Sequence, residues 1–418
     1  MEVVVTSSEI VKPSNPTPPD LRRLPLSFLD QLTDPNFMTL IFYYVSTPDS
    51  FRLKTALSDA LSRFYPLAGR VQANDSVQCN DLGIHYREAK VGDRHRLIDV
   101  IEKSQPSDIK SLIPPKPPSD DHIMTIQVNF FSCGGIAIAN LCSHKVMDAS
   151  SLISFVNAWA AIARNHDLNS IPSPKFDMTT FFPPREASIY SRRTADIENN
   201  VVSRRFIFSA SALSLLRDKY NNNNNNNNVQ RGPSLVEALS TFIWTRFVHV
   251  HVNNNKYALI QAVNLRTRIK PNLPESYFGN LSWIALASAE GDTSGYEMVR
   301  RMRESIKKID VEYIEKLKNG DLQMEELEKQ ELTVMSFSAM HKFPMKEVDF
   351  GVGEPVWVSL GGLNMRNTVH FLPMKKKMSI EEEEDGVEVW INLKEEEMHG
   401  LEKDTEFLCF ASPVSGLA

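Results

Sequence analysis

Cysteine is scarce: Cys79, Cys133, Cys142 and Cys409 are the four in 418 residues. Their spacing is irregular and gives no C-x-x-C pair, which argues against a disulfide framework or a thiolate zinc site and fits a reducing, cytoplasmic setting. A basic surplus is missing as well. Lys and Arg number 46 against 52 Asp and Glu, a net charge of −6, and no basic stripe is visible, so nucleic acid is not an expected partner. No run approaches the ~20 apolar residues of a membrane-spanning helix. The first twenty residues, with Lys12 and four prolines, do not read as a secretory signal, and no membrane partner is expected. In that setting the sequons Asn74-Asp75-Ser76 and Asn280-Leu281-Ser282 read as chance.

What is present is an ordinary globular composition, 42% hydrophobic and 23% charged, over a length that suits two or three compact units. An N-terminal arm containing Pro13–Pro19, Leu24-Pro25-Leu26 and Asp30-Gln31 enters the fold extended. Leu53, Leu57, Ala60, Leu61 and Phe64 recur at threes and fours and predict a helix over 51–64, closed by Pro66. Between Ile123 and Cys142 the period becomes two, with a Cys133-Gly134-Gly135 turn, which predicts two strands. After Asp148 the helical period returns through Leu152, Phe155, Val156, Trp159 and Ile162.

Little could pack between Pro183 and Asn200, so the chain divides into 1–185, a crossover linker at 186–203, and 204–418. The asparagine run Asn221–Asn228 reads as a surface loop. Beyond it lie a buried helix over 234–248, a strand over 257–263, and one charged helix whose face carries Val299, Met302, Ile306, Ile309 and Tyr313. Strands over 356–360, 368–372 and 387–391 follow, and the charge runs Lys375–Lys377 and Glu381–Asp385 read as a solvated hairpin tip.

The sharpest chemical candidate is His144 in Ser143-His144-Lys145-Val146-Met147-Asp148, between a predicted strand and helix. An imidazole there could act as a base at neutral pH. A packed histidine beside a helix-capping Asp148 explains the same spacing, and the two readings are compatible. Other schemes fit less well. There is no G-x-S-x-G elbow, Cys142 has no assured contact with His144, His249 and His251 lack further zinc ligands, and Asp349-Phe350-Gly351 comes without the other kinase segments.

Four segments in order change the picture: Phe64-Tyr65-Pro66-Leu67-Ala68-Gly69-Arg70, His144-x-x-x-Asp148, Asn264-Leu265-Arg266-Thr267-Arg268 with Tyr277-Phe278-Gly279-Asn280, and Asp349-Phe350-Gly351-Val352-Gly353. In this order and spacing the chain resembles the plant BAHD acyl-CoA-dependent acyltransferases over nearly its whole length. The resemblance implies an α/β fold of two similar chloramphenicol-acetyltransferase-like domains, each with a mixed sheet and helices, and a solvent channel between them. It makes His144 the general base. Asp148 would be an orienting residue paired with Arg266, or failing that Arg268. Asp349, Phe350, Gly351 and Gly353 would form a loop supporting the coenzyme A side.

By the same resemblance Ser338 is a candidate oxyanion donor or a surface hydroxyl, and Ser234 lies near the coenzyme phosphates or simply caps its helix. Val352 and Met340 depart from the family, which usually has Trp at both places. That puts loop rigidity in question, since loss of a large ring from a filled core costs ~3 kcal/mol or more unless neighbours compensate.

The implied co-substrate is an acyl-CoA, with acetyl-CoA first, no metal and no permanently bound cofactor. The partner is a small-molecule alcohol, and the protein a monomer. Val77–Gly83 and Phe131–Gly135 resemble a branch that mostly acetylates alkaloid or terpenoid alcohols. Aliphatic transfer to sugar esters is the alternative within the family, and a non-catalytic binding relative the alternative outside catalysis.

Overall fold

A computed structural model describes residues 1–117, 119–165, 171–185, 200–221, 231–251, 256–320, 332–362, 365–375 and 386–417. Most of the expected linker (186–199), the asparagine tract from 222 and the charge run 381–385 lie outside them.

The period-two stretch forms the antiparallel strands Met124–Phe130 and Ile136–Ser143. Its polar side does not face water, as plain alternation would suggest. Gln127 and Asn129 are buried, and their amides donate to the Leu112 carbonyl at 3.3 and 2.9 Å, so burial leaves no unmet donor there. Among the described residues these strands are central in a sheet ordered Val3–Val11, Ile84–Val91, Met124–Phe130, Ile136–Ser143, Phe37–Tyr44, Trp357–Leu360. The N-terminal arm is not extended throughout, because Phe28–Leu32 is a short helix; ahead of the arm, Val3–Val11 is an edge strand.

Helices Ser50–Arg63 and Ala149–Ala163 share this sheet's core, joined where the Trp159 indole donates to Leu53 O at 3.0 Å. The first helix stops as its period predicts, with Phe64 at the C-cap and Pro66 beyond.

The second sheet runs Ser282–Glu290, Lys256–Asn264, Thr333–Ala339, Thr368–Pro373, Val387–Lys394, Val201–Phe208, Ser412–Pro413. One face, with Leu259, Met335, Phe337, Val369 and Val389, packs under helices Leu235–Val250 and Gly295–Lys308. On the other face Leu372 and Trp390 join the first core, so that face turns toward the first half of the molecule. It also carries half-buried Asn264, Ile284, Ser336, Ser338 and His370. The single charged helix expected after residue 295 is two, Gly295–Lys308 and Val311–Asn319. Asp310 breaks it, because its carboxylate accepts from Tyr313 N at 2.9 Å and starts a new helix.

The halves are interlocked. Trp357–Leu360 comes from the C-terminal half but pairs antiparallel with Phe37–Tyr44 in the first sheet. Beside it, Arg205 and Glu388 form an ion pair with no exposure of either side chain. The Trp357 and Trp390 indoles donate to Glu388 at 3.1 and 2.7 Å, and Arg205 donates to the Ser104 and Ile101 carbonyls. Among the described residues, no helix is long and apolar enough to cross a membrane, and no group of three His, Cys, Asp or Glu could hold a metal ion.

Candidate active site

His144 sits one residue past the strand Ile136–Ser143 and is half-buried, its amide donating to Asn36 O at 2.8 Å. Four residues on, Asp148 caps the helix Ala149–Ala163, with Oδ1 accepting from Ser151 N at 2.8 Å. The same carboxylate meets Arg266, Nη1 to Oδ2 at 2.8 Å and Nη2 to Oδ1 at 3.2 Å, and accepts from Leu281 N at 3.0 Å. Burial pushes the Asp148 carboxyl upward, but the Arg266 charge and these hydrogen bonds outweigh it and hold the group below its ordinary value.

Arg266 is fully buried and donates onward to Tyr277 O. Arg268 points elsewhere, to the carbonyls of Ile306 and Ile309 at 3.0 and 2.8 Å. Asp148 therefore makes no hydrogen bond with His144. It ties the strand–helix junction to the loop 277–281 of the second half.

That loop supplies the partner of the imidazole. Asn280 Oδ1 lies 3.0 Å from His144 Nδ1, and Asn280 Nδ2 donates to His144 O at 2.8 Å and to Asp30 Oδ1 at 2.9 Å. Gly279 precedes it at φ +135, a backbone that favours glycine, and a Cβ there would stand 3.2 Å from Met178 Cγ. Asp30 is buried, and burial pushes its carboxyl up against the hydrogen bonds from Ser27 and Asn280. Lys145 Nζ donates to the Gln31 and Thr33 carbonyls at 2.9 and 2.7 Å, fastening the same segment, and burial lowers its pKa to about 8.

Sequence reasoning gave Asn280 no role and placed Asp30 in an extended arm. The signal for Asp30 was Ser27-x-x-Asp30, a capping box that opens the helix Phe28–Leu32. Asn280 has no comparable local signal, because its partners lie 136 and 250 residues away.

The segment 349–353 packs with the first core. Asp349 Oδ1 accepts from the amides of Gly351, Val352 and Gly353 at 2.7, 3.0 and 2.8 Å, while Oδ2 meets Arg164 at 3.3 Å. Phe350 is buried edge-on against Trp159, with ring centroids 4.7 Å apart. The turn is thus held by Asp349 and Phe350. Val352 only packs partly on the core, and Met340 is buried in it.

Ser338 is half-buried on the inward face of the second sheet, paired in register with His370. Ser234 is the N-cap of Leu235–Val250 in a capping box with Glu237, so a carboxylate bound to Arg303 occupies that helix start. Cys142 is buried, and burial raises its thiol pKa well above the ordinary value, which leaves it inert.

The chain is similar to known proteins over nearly its whole length. The family model described as "Transferase family" matches residues 1–408. The chain is 33% identical over 425 residues to stemmadenine O-acetyltransferase of Catharanthus roseus, covering 96% of this chain and 97% of that one. It is 32% identical over 416 residues to vinorine synthase of Rauvolfia serpentina, with 94% of each covered. The crystal structure of vinorine synthase superposes with a TM-score of 0.83 at 29% identity, over 99% of this chain and 100% of that one. A crystal structure of F. sporotrichioides TRI101 with coenzyme A and T-2 shares the fold at a TM-score of 0.70 and 16% identity, over 94% and 99% of the two chains.

Proposed function

The chain belongs to the Transferase (BAHD) family of acyltransferases, with the two-sheet, chloramphenicol-acetyltransferase-like fold, and from that premise we propose that it transfers acetyl from acetyl-CoA to a hydroxyl of an alkaloid or terpenoid alcohol. The observation that carries this reading is His144, half-buried, bound through Nδ1 to Asn280 and seated on a junction pinned by Asp148 and Arg266. Relatives named for O-acetylation, stemmadenine O-acetyltransferase and limonoid 21-O-acetyltransferase of Melia azedarach, support the donor and the acceptor class.

His144 Nε2 takes the acceptor's proton as the hydroxyl oxygen attacks the thioester carbonyl. The tetrahedral intermediate then collapses, the carbon–sulfur bond breaks, and coenzyme A leaves as the thiol with the proton returned from His144. Ser338, on the inward face of the second sheet, is the candidate donor to the oxyanion. Asp349 to Gly353 supports the coenzyme side. General-base help supplies ~10²–10⁴-fold, so holding both substrates in place must contribute much of the remainder.

The test is thiol release from acetyl-CoA by the purified protein offered a pooled plant-metabolite extract, with mass spectrometry of the products. Acceptor-dependent release with a product heavier by one acetyl unit is expected. Release only with longer acyl donors would contradict the acetyl assignment and point to aliphatic transfer. Silence with every donor would contradict the catalytic reading.

A further inference from the structure

We propose that Asp30 is a positioning residue for acyl transfer, acting through Asn280 to keep the His144 proton on Nδ1 and the basic lone pair on Nε2. The proposal rests on His144 being the base of the reaction above.

Donors and acceptors fix the orientation of the Asn280 amide. The side-chain amide of Asn280 faces three groups: His144 Nδ1 at 3.0 Å, the His144 main-chain carbonyl at 2.8 Å and Asp30 Oδ1 at 2.9 Å. Two of the three can only accept, and one of those is a carboxylate. The NH₂ group must point at them, and a flipped amide would set its oxygen against both. The amide oxygen is therefore left for His144, and an oxygen opposite Nδ1 requires a proton on Nδ1. A neutral imidazole carries one proton, so Nε2 is the acceptor nitrogen.

The main-chain carbonyl is fixed by the fold, and Asp30 is the side chain that strengthens the bias. It is itself held on every side. Oδ1 accepts from Asn280 N at 2.9 Å as well as from Nδ2, and Oδ2 accepts from Ser27 N at 3.0 Å and Ser27 Oγ at 2.6 Å. Four donors leave no lone-pair site vacant, and they oppose the upward push that burial gives this carboxyl. One residue thus caps the start of the short helix Phe28–Leu32 with one oxygen and aims the amide beside His144 with the other.

The two oxygens separate the structural role from the positioning role. Ser27→Ala removes the Ser27 Oγ bond to Oδ2 and the cap bond from Asp30 N and leaves Oδ1 untouched, whereas Asp30→Asn also disturbs Oδ1. The chain holds 10 histidines, so the His144 signals are assigned by their loss in His144→Gln after labelling the rings with ¹⁵N.

Wild type is expected to show the Nδ1–H tautomer. Ser27→Ala should lower the melting temperature yet keep that tautomer and kcat. Asp30→Asn should shift the tautomer ratio and lower kcat by on the order of 10²-fold, with the KM for acetyl-CoA within about twofold. An Nε2–H tautomer in the wild type overturns the proposal without any variant, so a failure of Asp30→Asn to fold does not protect it. Equal losses of kcat in Ser27→Ala and Asp30→Asn, or an Asp30→Asn protein with unchanged kcat, also overturn it. A wild type inert with every acyl donor but carrying the Nδ1–H tautomer would contradict the proposed function and support the placement of Asp30.

Discussion

Arg266 and Asp148 meet through two N–H···O bonds, at 2.8 and 3.2 Å, across 118 residues of chain, and together they hold the loop that carries Asn280 against the junction that carries His144. The pair is buried, so removing one partner leaves a charge in the interior, a loss of ~3–5 kcal/mol. Asp148→Asn should lower the melting temperature and reduce turnover through lost order. A sharp loss of turnover at an unchanged melting temperature would mean that Asp148 acts on the chemistry directly. Because its carboxyl is held below the ordinary value, its contribution is present above the unfolded pKa of ~3.9 and is lost as pH falls through the lower folded value.

His370 gives stability a second pH dependence, in a different window. Among the described residues both ring nitrogens are buried without a hydrogen-bond partner, and burial lowers its pKa from 6.5 to about 4. Between those values the unfolded chain takes up a proton that the folded protein refuses. Stability from this residue is therefore present above pH 6.5 and falls as pH drops toward 4, by up to ~1.4 kcal/mol per pH unit. Melting curves of His370→Phe should lack this slope; a variant with the wild-type slope would exclude His370 as its source.

The helices over 50–63 and 149–163, the central hairpin and the His144–Asp148 spacing were legible because each is written within about twenty residues of sequence. Strand Trp357–Leu360 looked like part of the C-terminal half, since nothing local says that it pairs with Phe37–Tyr44. Asp30 looked like part of an extended arm because Pro25 and its neighbours masked a five-residue helix, too short to show a period. Asp310 split one apolar stripe into two helices without interrupting it.

Glu388 is the acceptor on which the Trp357 and Trp390 indoles and Arg205 converge. Glu388→Gln leaves the Arg205 charge without its counter-ion between the two halves, and ~3 kcal/mol or more should be lost in urea denaturation. The double variant Arg205→Met with Glu388→Met removes both charges and should recover part of that loss. A Glu388→Gln protein as stable as wild type would show that hydrogen bonds alone, without the charge pair, suffice at this junction.

Turnover by His144→Ala, compared with wild type on the same acetyl-CoA and acceptor, tests the central claim most directly. With His144 as the base, His144→Ala should be a folded protein with an unchanged melting transition and a rate lower by at least ~10²-fold. A folded His144→Ala protein with near wild-type turnover would contradict it.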